Sequence, residues 1–255
     1  MIFVLKLVLV PVLVLAVSLA GRRWGPRVSG LLTSLPIVSG PALFFLAVEQ
    51  GDPFAAEASR AALVALVAVA ASGLAYAWAS LRTPWWLSLP ACWLSFVVVS
   101  LALLAGRWSA VAALAAALAS FALARALLPA LPAPDRPPAR AAWDLPLRML
   151  AAMTLVMVVT ELAYRLGPNL SGAFTPFPVA LSVLLAFSHA QQGPATAIRF
   201  LRGFVPGMWS MAVFCFVAAL TLAPLGRWAG FLLAVAVVIP AQGLVLWWLG
   251  ARDRW

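Results

Sequence analysis

With 255 residues, 65% of them hydrophobic and 9% charged, and a mean hydropathy of +1.05, this chain is not an ordinary soluble domain. Soluble domains carry about a quarter charged residues, so the solvent this chain is built for is a lipid bilayer. The net charge of +10 suits either phosphate-rich partners or the basic flanks of membrane helices; the arginine placement below selects the flanks, and no nucleic acid is expected.

Crossing the hydrocarbon takes about 20 apolar residues as a helix. The short alternating segments of a barrel are absent, which leaves helices to satisfy their own backbone groups. In chain order nine spans are expected, at 2–20, 28–49, 59–81, 85–105, 109–128, 146–165, 171–190, 203–223 and 228–249. The first resembles a signal peptide in length. Its basic cluster Arg22, Arg23, Arg27 follows the apolar run instead of preceding it, so it is read as a membrane helix. The stretch LPAPDRPPARAAWDLP, residues 131–146, reads as a linker between halves.

Counting basic residues on each side sets the orientation. With the N-terminus outside, Arg22, Arg23, Arg27, Arg82, Arg125, Arg136, Arg140, Arg148, Arg199, Arg202, Arg252 and Arg254 are cytoplasmic. Lys6, Arg60, Arg107, Arg165 and Arg227 are then outer, and the C-terminus is cytoplasmic. Trp85, Trp86, Trp93, Trp108, Trp143, Trp209, Trp228, Trp247, Trp248 and Trp255 fall mostly near helix ends, as a headgroup belt requires. Cys92 and Cys215 lie in apolar stretches and read as small buried side chains.

Residues 25–51 and 167–193 match at a constant offset of 142 without a gap. The identical pairs are Gly25/Gly167, Pro26/Pro168, Ser29/Ser171, Gly30/Gly172, Thr33/Thr175, Pro36/Pro178, Leu43/Leu185, Phe45/Phe187, Gln50/Gln192 and Gly51/Gly193. Chance matches between apolar segments fall on Leu, Ala and Val; here Gly, Pro, Ser, Thr and Gln dominate. The offset carries helices one to four onto six to nine and leaves helix five as a spacer. An odd number of crossings separates the copies, so the second enters upside down. The fold class expected is an all-α polytopic membrane protein of about nine transmembrane helices: two inverted four-helix repeats joined by a spacer helix. Its parts are a first repeat (1–105), a spacer and linker (106–145) and a second repeat (146–255).

Helix two carries Ser29, Gly30, Thr33, Pro36, Ser39, Gly40 and Pro41. Its prolines each remove a backbone donor, which predicts a kink or an unwound middle. Helix seven repeats the theme with Ser171, Gly172, Thr175, Pro176 and Pro178. Duplicated, Gly/Pro-interrupted helices are the sequence pointer to a transporter's central site. The hydroxyls of Ser34 and Ser182 are further candidates there. Equally, small residues and prolines serve close helix packing.

Glu161, four residues before Arg165, is the candidate for proton coupling, with a salt bridge at the outer interface as the plainer alternative. Glu49 and Gln50 close helix two as Gln191 and Gln192 close helix seven, a pattern that fits paired gates or simple polar helix ends. His189, the lone histidine, is a candidate pH sensor or an interfacial residue without a role. No metal-ligand spacing, nucleophile elbow or Walker loop is present in the sequence.

The run GPRVSGLLTSLPIVSGPALFFLAVEQG resembles a recurrent segment of uncharacterised bacterial inner-membrane proteins. That resemblance implies a bacterial membrane location and carries no activity. The second copy departs from it where SGP (39–41) becomes LSV (181–183).

The function expected is secondary transport of a small organic or anionic solute between helices two and seven, with no enzymatic step, cofactor or metal. The expected partners are the bilayer and the solute, with a homo-oligomer as a further form. Two readings compete: a translocase or enzyme for a phosphorylated lipid carrier, and a non-catalytic membrane subunit whose helix breaks serve packing alone.

Overall fold

The computed structural model describes residues 2–37, 39–104, 106–131, 143–165 and 177–252, and among these the chain is helical with no strand. Nine helices follow in order: α1 (Ile2–Trp24), α2 (Pro26–Thr33), α3 (Ser39–Gln50), α4 (Asp52–Ser80), α5 (Trp85–Leu104), α6 (Ala110–Leu127), α7 (Asp144–Arg165), α8 (Val179–Gln192) and α9 (Pro194–Arg252). α9 is two rods that meet at Gly226, where φ 75 and ψ 168 leave helical space.

Among the described residues five stretches are long and apolar enough to cross a membrane: Leu7–Trp24, Asp52–Ser80, Trp85–Leu103, Ala110–Leu127 and Pro194–Gly243. Large apolar side chains such as Leu94, Val111, Leu232 and Ile239 are exposed around the bundle. Water would penalise so many exposed apolar groups; lipid does not.

α4 lies at the centre. Its small residues Ala55, Ser59, Ala68, Ser72, Gly73 and Ala77 are buried, which lets α3, α5, α6 and α9 pack closely on it. Gly73 meets Leu201 near the start of α9, whereas Asp52 at the start of α4 pairs with Arg227 just beyond Gly226. The two helices therefore run antiparallel. α6 is capped by Ser109, whose side chain accepts from the Ala112 amide at 3.1 Å. Its buried face, Ala113, Ala117, Phe121 and Ala124, serves α4 and α9 alike.

α3 and α8 both end one residue before a glycine, Gly51 (φ 93) and Gly193 (φ 83), 142 residues apart. With ψ of 160 and 176, both lie in a region that essentially only glycine occupies. Each glycine then starts the next long helix, α4 and α9.

Segment 28–49, expected to kink or unwind near its middle, is two helices with a break that includes residues 34–37. The break belongs to Pro36. Pro41, expected to add a second break, sits instead in the first turn of α3, where proline is tolerated.

Candidate functional site

The broken segment is bedded on α9. A Cβ on Gly30 would lie 2.0 Å from the Phe200 carbonyl oxygen, and one on Gly203 1.9 Å from that of Arg27. Gly207 leaves the same kind of room for Ser34 Oγ, at 1.9 Å. Only glycines allow backbones this close, so Gly30 is a packing residue whatever else it does. The hydroxyls beside it donate to carbonyls: Ser29 Oγ to Val17 at 3.1 Å, Thr33 Oγ1 to Ser29 at 2.7 Å and Ser34 Oγ to Leu31 at 2.6 Å. Their oxygen lone pairs stay available to a donor.

Across the break, the Pro36 carbonyl accepts from the Gly40 amide at 2.8 Å, so the α3 hydrogen-bond ladder starts from Pro36. Ser39, Gly40 and Pro41 form its first turn, with Gly40 set against the Phe214 ring. Glu49 and Gln50 are exposed in its last turn.

In the second copy Pro178 is buried at the start of α8 and accepts from the Ser182 amide at 2.9 Å. Ser182 Oγ accepts from Trp93 Nε1 at 3.0 Å. Trp93, expected in the headgroup belt, is thus turned inward against α8 and Phe177. Trp85, Trp86, Trp143, Trp209 and Trp228 are exposed. Ser171, Gly172, Thr175 and Pro176 lie outside the described residues.

The far end of α8 holds the most polar part of the interior. Asp144, 2% exposed, accepts from Arg22 Nη2 at 2.8 Å and from Arg148 Nε at 2.7 Å. Gln191 Nε2 donates to the same carboxylate, and Arg148 Nη2 donates to Gln191 Oε1 at 3.3 Å. The Arg148 guanidinium also lies over the Phe187 ring, 5.3 Å from its centroid. Asp144 precedes the span read at 146–165. Burial pushes its carboxyl up, but the bonds from Arg148, Arg22 and Gln191 prevail and hold it below the usual carboxylate range.

One turn deeper, His189 is buried and its Nδ1 shares a hydrogen bond of 3.2 Å with the Tyr76 hydroxyl. Gln192 ends α8, and its carbonyl accepts from Thr196 Oγ1 at 3.5 Å.

Glu161 is exposed on α7, and Arg165 is the last residue of that helix. Sequence reasoning placed Asp144 in the linker and Arg148 among the flanking charges. Their i,i+4 spacing was the available signal, whereas Arg22 and Tyr76 gave none.

Among the described residues no three His, Cys, Asp or Glu side chains are grouped to hold a metal ion. Among the described residues the fold and these sites define a class: a helical protein with long apolar helices that could span a membrane and with an interrupted segment at 26–50. Comparison with protein-family models, with curated proteins and with solved structures found no match.

Proposed function

We propose that this chain is a bacterial inner-membrane secondary transporter and not an enzyme. It carries a small organic or anionic solute through a site between segments 28–49 and 171–190. The observation that carries the reading is the pair of half-length helices, α3 with 12 residues and α8 with 14. At 1.5 Å per residue each is about 20 Å long, too short to cross a core of about 30 Å. α3 ends beside Asp52, whereas α8 ends at the Asp144 cluster, and α4 stretches from Asp52 to the Tyr76–His189 contact. The two half-helices therefore start inside the bundle and finish at opposite ends of it.

The repeats are inverted in this reading, as four helices, a spacer and four helices, giving nine spans. Arg22 near the end of α1 meets Asp144 at the start of α7, so these offset-related helices point in opposite directions. The antiparallel pair α4 and α9 supports the same relation. The positive dipole ends of the two half-helices favour an anionic group. Glu161 remains the proton-coupling candidate, and the N-terminus is outside.

Reconstituted into proteoliposomes and offered a panel of small carboxylates, inorganic phosphate and sugars, the protein is expected to take up at least one saturably. Pro36→Ala and Thr33→Val are expected to lower that rate tenfold or more while the protein still elutes as a folded species. Unchanged rates in both variants overturn the assignment of the site. A second reading, a membrane subunit whose break serves packing, is favoured by the close glycine contacts of α2 with α9. Absence of uptake together with stoichiometric co-purification of a soluble partner selects it.

A further inference from the structure

We propose that Arg22, Asp144, Arg148 and Gln191 form a latch that closes the pathway at its arginine-rich end and parts to let solute through. The proposal rests on the transport reading above and names the gate of that same site.

Three helices meet at the cluster: α1 through Arg22, α7 through Asp144 and Arg148, and α8 through Gln191. In the two-repeat scheme α1 belongs to one copy and α7 and α8 to the other, so the cluster bridges the bodies that must rock apart. Charges that only mark a cytoplasmic face stay in water, as exposed Arg82 does. Asp144 and Arg148 are instead 2% and 7% exposed. Burying such a group is not a route to stability, because an apolar set of similar volume does as well or better. A buried ionic contact does supply an all-or-none junction: made, it satisfies every partner; broken, each partner regains water.

α8 links this junction to the broken helix. It is one short rod, with Gln191 at one end and Pro178 at the other. Movement of Gln191 away from Asp144 therefore shifts the buried start of the rod. The offset also carries Arg148 onto Lys6 and Gln191 onto Glu49. A basic position one turn into a first helix and an acceptor in the last turn of a half-helix thus recur for the opposite end.

The test is side-specific thiol modification. In a Cys92→Ala/Cys215→Ala background, Thr33→Cys is exposed to a membrane-impermeant cationic methanethiosulfonate in right-side-out and in everted vesicles. With the latch intact, reaction is expected from the outer face and slow from the arginine-rich face. Asp144→Asn is expected to accelerate reaction from the arginine-rich face at least tenfold, with little change from the other. Gln191→Leu, which removes two contacts and no charge, shifts the rate the same way by a smaller factor. Unchanged rates, or equal acceleration from both faces, overturn the latch while leaving the transport reading in place. No reaction from either face in any variant overturns both.

Discussion

At the scale of single residues, the chain separates side chains that hold the fold from those free to act. Ser29, Thr33 and Ser34 use their hydroxyl protons on carbonyls. This costs little in a helix and lets them sit in an apolar interior without an unpaired donor. Asp144 is different, because its burial is tolerable only as the anion with both arginines beside it. A carboxyl held low in the folded state contributes stability that is complete above its unfolded value, about 3.9, and is lost as pH falls through the folded value. Thermal unfolding in detergent is therefore expected to show a loss of stability below about pH 4 that Asp144→Asn lacks. That variant starts from a lower stability at neutral pH. Parallel curves for the two proteins would show that the cluster contributes nothing to the fold.

At the scale of elements, the interrupted segment owes its position to α9 more than to its own sequence. Gly30, Gly203 and Gly207 remove the side chains that would otherwise hold the helices apart. A methyl group at 203 meets the Arg27 carbonyl, which is backbone and has nowhere to go. Gly203→Ala is accordingly expected to cost at least the ~1–3 kcal/mol typical of overpacking, read as a lowered melting temperature in detergent. Gly243→Ala is the control: a Cβ there meets nothing within 4 Å, and alanine favours the helix. Equal behaviour of the two variants would remove the close-contact account of α2. The Pro36 break was legible beforehand, since proline's missing donor acts locally. That Pro41 causes none was not, because it depends on where α3 begins.

At the scale of the whole molecule, hydrogen bonds and ion pairs join residues that the arginine bias assigns to one face. Arg22, Asp144, Arg148 and Gln191 meet one another, Tyr76 meets His189, and Arg202 Nη2 donates to the Pro129 carbonyl at 3.1 Å while Trp78 Nε1 donates to that of Leu127 at 2.9 Å. Asp52 and Arg227, both assigned to the opposite face, pair at 2.9 Å. Reporter fusions test the orientation proposed from the bias. A fluorescent protein joined after Trp255 is expected to fluoresce, and a phosphatase inserted in the turn near Phe54 to be active. The reverse pattern inverts the proposed topology and exchanges the faces in the thiol experiment.

Composition and the length of the apolar runs pointed to a helical chain suited to lipid, because both follow from residue-by-residue transfer energies and local backbone geometry. The duplicated glycines and prolines likewise marked where helices stop, Gly51 and Gly193 through glycine's freedom to take positive φ and Pro36 through its missing donor. The tertiary structure decided which polar groups go inside. Asp144 in a charged stretch, Trp93 in an apolar helix and a lone His189 acquire their places from partners 122, 89 and 113 residues away. Burial of a charge is a property of several helix ends meeting, and no local pattern contains it.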